Sequence, residues 1–261
     1  MRRSAFIIGI ALILISVSLL AGCSPPVFIK ATGPVVTKDY SFTDFTSVEV
    51  GNAFEIEIVP SNSYSISVTA NQSLFDYIEV SKSGGTLKIG MKAVNIDLRK
   101  PAIKAKVSLP ELWGLNLSGA VKGNAQGFKT THKFDLGVSG ASSLDTNLET
   151  GNLELVVSGA SKVAGSIKAT NSDIVLSGAS RIELSGSGGN ARLNVSGASS
   201  AELANFILND ADINVSGASG GKVNVSGKMN VELSGASTLE YAGNPQIGKL
   251  DVTGASQLKR K

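Results

Sequence analysis

Aliphatic residues recur in pairs along the second half of this chain, one residue apart. The first of each pair is Leu115, Leu136, Leu155, Ile174, Leu193, Ile213, Val231 or Leu250. The second is Leu117, Val138, Val157, Leu176, Val195, Val215, Leu233 or Val252. Between them sits a mixed, mostly polar set: Asn116, Gly137, Val156, Val175, Asn194, Asn214, Glu232 and Asp251. Such in–out–in alternation predicts short strands with one buried face. Each pair runs into a Ser-Gly-Ala-Ser tetrapeptide beginning at Ser139, Ser158, Ser177, Ser196, Ser216 or Ser234, with degenerate copies at Ser118 and Thr253. The intervals are 21, 19, 19, 19, 20, 18 and 19 residues. Five positions after each first Ser, apolar residues return at Leu144, Val163, Ile182, Ala201, Leu239 and Leu258, with Gly221 interrupting the series. Gly165, Gly186, Asn205, Gly227 and Gly243 then predict a second bend in each unit.

A period of about 19 residues marks a stacked architecture in which each unit is buried by its neighbours. The expected fold class is all-β: a single-stranded parallel β-helix, or β-solenoid. A helical repeat does not fit, because no window sustains i, i+3, i+4 apolar spacing and glycine is too frequent. A leucine-rich repeat has a similar length, but its helical segment is missing. Adjacent coils stack about 4.8 Å apart, so eight coils make a rod of roughly 38 Å. The expectation to test is that Leu155, Ile174 and Leu193 line up inside one core.

Residues 38–112 have a different texture. Ser47–Val50, Phe54–Val59, Tyr64–Ala70, Ile78–Ser81, Thr86–Gly90 and Ile103–Leu109 alternate well and predict strands, with turns at Pro60–Ser63 and Ser83–Gly85. Tyr40, Phe42, Phe45, Phe54, Tyr64, Phe75, Tyr77 and Trp113 concentrate the aromatic side chains here. These residues are expected to form irregular coils that close one end of the regular solenoid over 113–261. A separate small β domain is the alternative.

The start of the chain points to export. Met1-Arg2-Arg3 is basic, Ala5 to Leu20 is apolar, and Leu20-Ala21-Gly22 leads to Cys23, the only cysteine. This pattern resembles a bacterial lipoprotein signal over residues 1–22, with Cys23 becoming the lipid-modified first residue. An ordinary signal peptide or a single transmembrane anchor are the alternatives. Residues 23–37, with Pro25, Pro26, Gly33 and Pro34, read as a tether. The expected location is the bacterial cell envelope, on the outer membrane if the cell has one and otherwise on the outer face of the plasma membrane. The remainder keeps 22 of the 24 basic side chains against 21 acidic ones, a balance that argues against nucleic acid as a partner. With Cys23 lipidated no internal disulfide can form. Lys259-Arg260-Lys261 reads as charge protecting an open sheet edge or as a plain solvated terminus.

The run Gly51–Ile58, the Gly85–Ile89 strand, Leu109-Pro110-Glu111-Leu112 and the Ser-Gly-Ala strands together resemble a bacterial family described as "putative auto-transporter adhesin, head GIN domain". The resemblance spans most of residues 40–256. It implies an exported right-handed β-solenoid, usually in a lipoprotein or other envelope protein, and carries no catalytic residues.

Candidate chemistry is sparse. Asp135, Asp145, Asp173, Asp212 and Asp251 read as occupying different positions in their units, so no carboxylate cluster of a polysaccharide-acting β-helix enzyme is expected. Asp210 and Asp212, two apart, are expected on one strand face. His132, the only histidine, reads as a surface-loop residue. No metal-ligand spacing and no cofactor motif are present. The serine ladder Ser139, Ser158, Ser177, Ser196, Ser216 and Ser234 reads either as a packed corner or as a flat array of hydroxyls for a repetitive ligand such as a glycan. Ice is a third candidate, although regular outward threonine pairs are absent. Arg99, Lys100, Lys104 and Lys106 form a basic stretch that is either a solvated face or a contact for anionic surfaces. The reading is a non-catalytic envelope module that binds or supports, with adhesion as its role, held to the membrane by lipid on Cys23 and facing an unidentified envelope or extracellular ligand.

Overall fold

The computed structural model describes residues 29–92, 96–97 and 103–261. Cys23, the signal-like segment 1–22 and the Arg99-Lys100 pair lie outside these residues. The described chain winds as a β-solenoid with two sheet walls. Wall A carries the aliphatic pairs. Leu115, Leu136, Leu155, Ile174, Leu193, Ile213, Val231 and Leu250 stack in register from rung to rung, all in parallel. Leu155, Ile174 and Leu193 are fully buried, as one shared core requires. Wall B carries the second inward column, Leu144, Val163, Ile182, Ala201, Gly221, Leu239 and Leu258. Gly221 keeps its place in that column and is buried. Gly165 and Gly186 have φ of +135° and +114° and bend the long strands Lys162–Leu176 and Arg181–Val195 without breaking them.

The Ser-Gly-Ala-Ser units form the corner leading from wall A to wall B. Gly140, Gly159, Gly178, Gly197, Gly217 and Gly235 all have φ between +73° and +79°, a region open to glycine at little cost. The corner carries its own hydrogen-bond ladder: Ala160 N–H donates to Gly140 O and Ala179 N–H to Gly159 O, both at 2.7 Å. A Cβ on Gly159 would collide with the Gly140 carbonyl. The last Ser of each unit turns inward and is buried at Ser142, Ser161, Ser180, Ser199, Ser219 and Ser237. Its hydroxyl accepts a backbone N–H from the rung before, as from Ser142 to Ser161 Oγ (3.3 Å) and from Ser199 to Ser219 Oγ (3.3 Å). These hydroxyls satisfy polar groups that the bend would otherwise leave unpaired inside the rod.

The N-terminal part continues both walls but not in chain order. Thr86–Met91 pairs with Ser47–Val50, which pairs with Gly114–Leu117. Ile103–Leu109 pairs with Phe54–Pro60, which pairs with Lys122–Lys129. The rung built from Ser47–Val50 and Phe54–Pro60 therefore lies between two rungs that follow it in sequence. Antiparallel strands close the outer side: Ile78–Ser83 on Thr86–Met91, and Ser65–Asn71 on Ile103–Leu109. Val35–Tyr40 adds a further antiparallel strand on Ser65–Asn71. The tether expected over 23–37 thus ends before Ile29, because Ile29–Lys30 already pairs in parallel with Ile96–Asp97, residues 32–34 hydrogen-bond to residues 71–73, and 35–37 lie in a sheet. Phe45, Phe54, Leu74 and Leu112 are almost wholly buried in this end, and the Phe45 ring lies 4.9 Å from Tyr64.

Candidate binding face

The outward residues of wall A define the most structured surface. Two columns point outward, Gly114 alone among them being buried. One runs Ser47, Gly114, Asp135, Glu154, Asp173, Arg192, Asp212 and Asn230; the other runs Glu49, Asn116, Gly137, Val156, Val175, Asn194, Asn214 and Glu232. The first corrects the sequence-based expectation that the carboxylates are scattered. Asp135, Glu154, Asp173 and Asp212 share one repeat phase, each four residues before a Ser-Gly-Ala unit, while Asp251 belongs to the other column and Asp145 to wall B. The phase was legible in the sequence once the count was taken from the tetrapeptide.

Cations are interleaved with these carboxylates. Lys133 Nζ bridges Asp135 (2.7 Å) and Glu154 (2.6 Å), and Arg192 reaches Asp173 at 3.6 Å. Hydrogen bonding to Asp135, and then to Glu154, holds the Lys133 ammonium above its ordinary range. Amides extend the pattern at the neighbouring bend: Asn171 Nδ2 donates to Asn152 Oδ1 (3.1 Å) and Asn209 Nδ2 to Asn190 Oδ1 (2.8 Å). Asp210 and Asp212 do share a face; Asp210 accepts the Lys228 N–H and Asp212 accepts Asn230 Nδ2, both at 2.6 Å.

Three shallow depressions of about 590, 580 and 470 Å³ run end to end along this wall. The first two share Lys133 and Glu154; the second and third share Arg192, Asp212, Lys228 and Asn230. Together they make one trough parallel to the rod axis. Gly114 and Gly137 line it at one end, with the Ser47 and Asn116 side chains lying against them. Ser139 and Ser158, two members of the serine ladder, line its margin. The ladder as a whole is half-buried, from Ser139 to Ser234, and the side chains most open at the corner are the alanines of the tetrapeptide.

Outward charges on wall B are matched across rungs as they are on wall A, with Lys104 on Glu55 (3.7 Å), Lys106 on Glu57 (3.1 Å), Lys162 on Glu183 (3.6 Å) and Lys222 on Glu202 (3.1 Å). Two of the four cations in the basic stretch are therefore locally compensated. Wall B has one separate depression, about 610 Å³, around those Lys104 and Lys106 pairs. His132 is exposed, as expected, and its ring stacks at 4.2 Å on Trp113, whose indole N–H donates to Glu111. Among the described residues no three His, Cys, Asp or Glu side chains are placed to hold a metal ion.

A stiff rod with a patterned wall is a binding or structural module of the β-solenoid class. The chain belongs to the family described as "putative auto-transporter adhesin, head GIN domain", which matches residues 44–245. Among solved structures it is similar to a protein from Parabacteroides distasonis described as a putative lipid binding protein. That match has 22% identity and a TM-score of 0.82, and covers 89% of this chain and 99% of that one. A putative adhesin from Parabacteroides merdae shares 16% identity, also at a TM-score of 0.82, over 90% and 99% of the two chains. A putative adhesin from Bacteroides fragilis shares 18% identity at a TM-score of 0.69, over 89% and 100%. At these identities the similarity establishes the fold. No functionally curated protein matches the sequence.

Proposed function

We propose that this protein is a lipid-anchored module of the bacterial cell envelope that binds an extended partner along wall A, acting in adhesion. Residues 1–22 serve as its export signal, Cys23 carries the lipid, and the segment between Cys23 and Ile29 spaces the rod from the membrane. The observation that carries the reading is the continuous trough on wall A, three depressions joined through shared lining residues, where wall B has a single separate one. The adhesin description of the family and of two structural relatives supports the role. Cells displaying the full chain are expected to adhere to a surface that cells carrying Cys23→Ser do not hold, with the variant protein moving from the membrane fraction to the medium or periplasm. Adhesion and membrane association unchanged by Cys23→Ser would refute the anchor.

A second reading, polysaccharide cleavage, is favoured by one observation: Asp173, Arg192 and Asp212 stand on successive rungs in the trough. The geometry favours binding instead. The carboxylates stack at rung spacing rather than converging on one point, and Asp173, Glu154 and Asp135 have side chains 47%, 51% and 62% exposed while paired to cations. General acid–base work calls for a carboxyl whose proton affinity is raised by burial or by an adjacent like charge held without a counterion. Release of new reducing ends from a polysaccharide, lost in Asp173→Asn, would decide for the enzyme.

A further inference from the structure

We propose that the ligand of the wall A trough is a linear, uncharged polysaccharide lying along the rod axis. This rests on the reading of wall A as the recognition surface and names the chemistry it selects. Four observations point the same way.

The first is charge. The residues lining the trough include seven carboxylates, from Glu49 to Glu232, against four cations, Lys133, Arg192, Lys228 and Lys249. Over the groove as a whole carboxylates outnumber cations, although the end around Arg192, Lys228 and Lys249 carries three cations against two carboxylates. Polyanions need a continuous basic track, which the groove lacks. Nucleic acids and acidic glycans are thereby disfavoured. The second is the kind of polar group. Seven asparagines line the same trough, among them Asn116, Asn152, Asn171, Asn190 and Asn194. Each amide offers donors and an acceptor, and each carboxylate accepts. Sugar hydroxyls both donate and accept, so this mixture satisfies them without requiring charge on the ligand.

The third is the apolar strip beside the polar column. Val156 and Val175 are neighbours on adjacent rungs, facing outward, with Val156 41% exposed. Next to them in the same column, Gly137 adds no side chain of its own and the Asn116 amide lies against it. A flat apolar surface flanked by hydrogen-bonding groups suits the C–H face of a pyranose ring. The fourth is the repeat itself. Equivalent groups recur about every 4.8 Å along the axis, close to the length of one sugar unit in an extended chain. A shallow open trough holds one sugar weakly, but a polymer engages many rungs at once, and affinity then rises with chain length.

Gly137 provides a specific probe. Its φ lies outside the positive region, and a Cβ there meets only the flexible end of Asn116, at 2.9 Å from Oδ1. Gly137→Tyr therefore fills the trough floor without touching the core. Ala164→Tyr is the control, since Ala164 is an outward residue of wall B in register with Asp145 and Glu183. The single tryptophan, Trp113, sits one residue from the trough residue Gly114 and serves as a fluorescent reporter.

The test titrates the full chain in detergent with cellohexaose, mannohexaose, chitohexaose and their dimer-length counterparts, and with polygalacturonate as the anionic comparison. Binding of at least one uncharged hexasaccharide is expected, about tenfold or more tighter than its disaccharide. It should weaken about tenfold in Gly137→Tyr and hold in Ala164→Tyr, with little dependence on salt. Preference for polygalacturonate, or hexasaccharide binding untouched by Gly137→Tyr, overturns the proposal. So does an absence of binding to all three uncharged series. If sugars fail while Gly137→Tyr still abolishes adhesion of displaying cells, the ligand class is wrong and wall A stands. If neither sugar binding nor adhesion responds to Gly137→Tyr, the wall A reading falls as well.

Discussion

The two ends of the rod place equivalent aliphatic residues in opposite circumstances. At the N-terminal end Leu87 and Ile89 occupy the same two inward columns as Leu250 and Val252 do at the C-terminal end. Leu87 and Ile89 are 0% and 2% exposed; Leu250 and Val252 are 52% and 41% exposed. The difference is what lies beyond them. The antiparallel strand Ile78–Ser83 and the side chains of Phe45, Leu74 and Leu112 close one end, whereas Gln246–Val252 pairs on one side only. An inward position in a solenoid does not bury a residue. Burial requires a neighbour on each side, so stability is shared between adjacent rungs rather than held within one.

The largest contrast comes from placing a charge in the same column at two depths. Leu155→Asp is expected to lower stability by several kcal/mol, because the buried carboxylate finds no partner. Leu250→Asp should leave the chemical denaturation midpoint almost where it was. Equal effects would break the comparison. Truncation sharpens it further: Leu87→Ala should cost about 3 kcal/mol under its cap, and Leu250→Ala less than about 1 kcal/mol, read from the same denaturation curves.

The corner allows a smaller contrast. Gly159→Ala introduces a Cβ against the Gly140 carbonyl at φ +73° and should cost about 2 kcal/mol or more. Gly84→Ala also sits at positive φ, +58°, but nothing lies within 4 Å of its Cβ, so about 1 kcal/mol is expected. Ser199→Ala removes a buried acceptor for the Ser180 N–H (3.4 Å) and should cost about 1 kcal/mol in thermal or chemical melts.

The surface ion pairs set the smallest effects. Hydrogen bonding to Lys129, then the charges of Lys129 and Lys168, holds the Glu149 carboxyl below its usual range. Its contribution is therefore present above the ordinary carboxylate pKa and is lost as pH falls through the lowered value. Lys133 is shifted upward, so its contribution is present at neutral pH and is lost only in strong alkali. Melting temperature is expected to stay nearly flat between about pH 5 and pH 9, with a shallow acid decline that Glu149→Gln reduces. A steep change within that interval would reveal a titrating group that these pairs do not account for.

Much of the molecule was legible in particular residues. The spacing of Leu155, Ile174 and Leu193 announced a shared column, and the tetrapeptide announced a glycine corner. Unbroken alternation through the tetrapeptide would turn both its glycine and its last serine inward. Ser142 and its equivalents are buried, but Gly140 and its equivalents are exposed, so the corner interrupts the alternation. The trough was harder to see. Its carboxylates share a phase, but its continuity comes from groups 19 or 20 residues apart meeting across the sheet.

By itself the sequence determined the rung: which residues face in, where the chain bends, and how long one turn is. These are local properties, set by alternation with period 2 and by the φ that glycine alone adopts at little cost. Only the tertiary structure decided the order of the first rungs and which wall presents a trough. An apolar strand edge pairs as well with one alternating strand as with another. The place of Ser47–Val50 between Thr86–Met91 and Gly114–Leu117 was therefore settled by how the aromatic end closes over the core, which no single strand encodes.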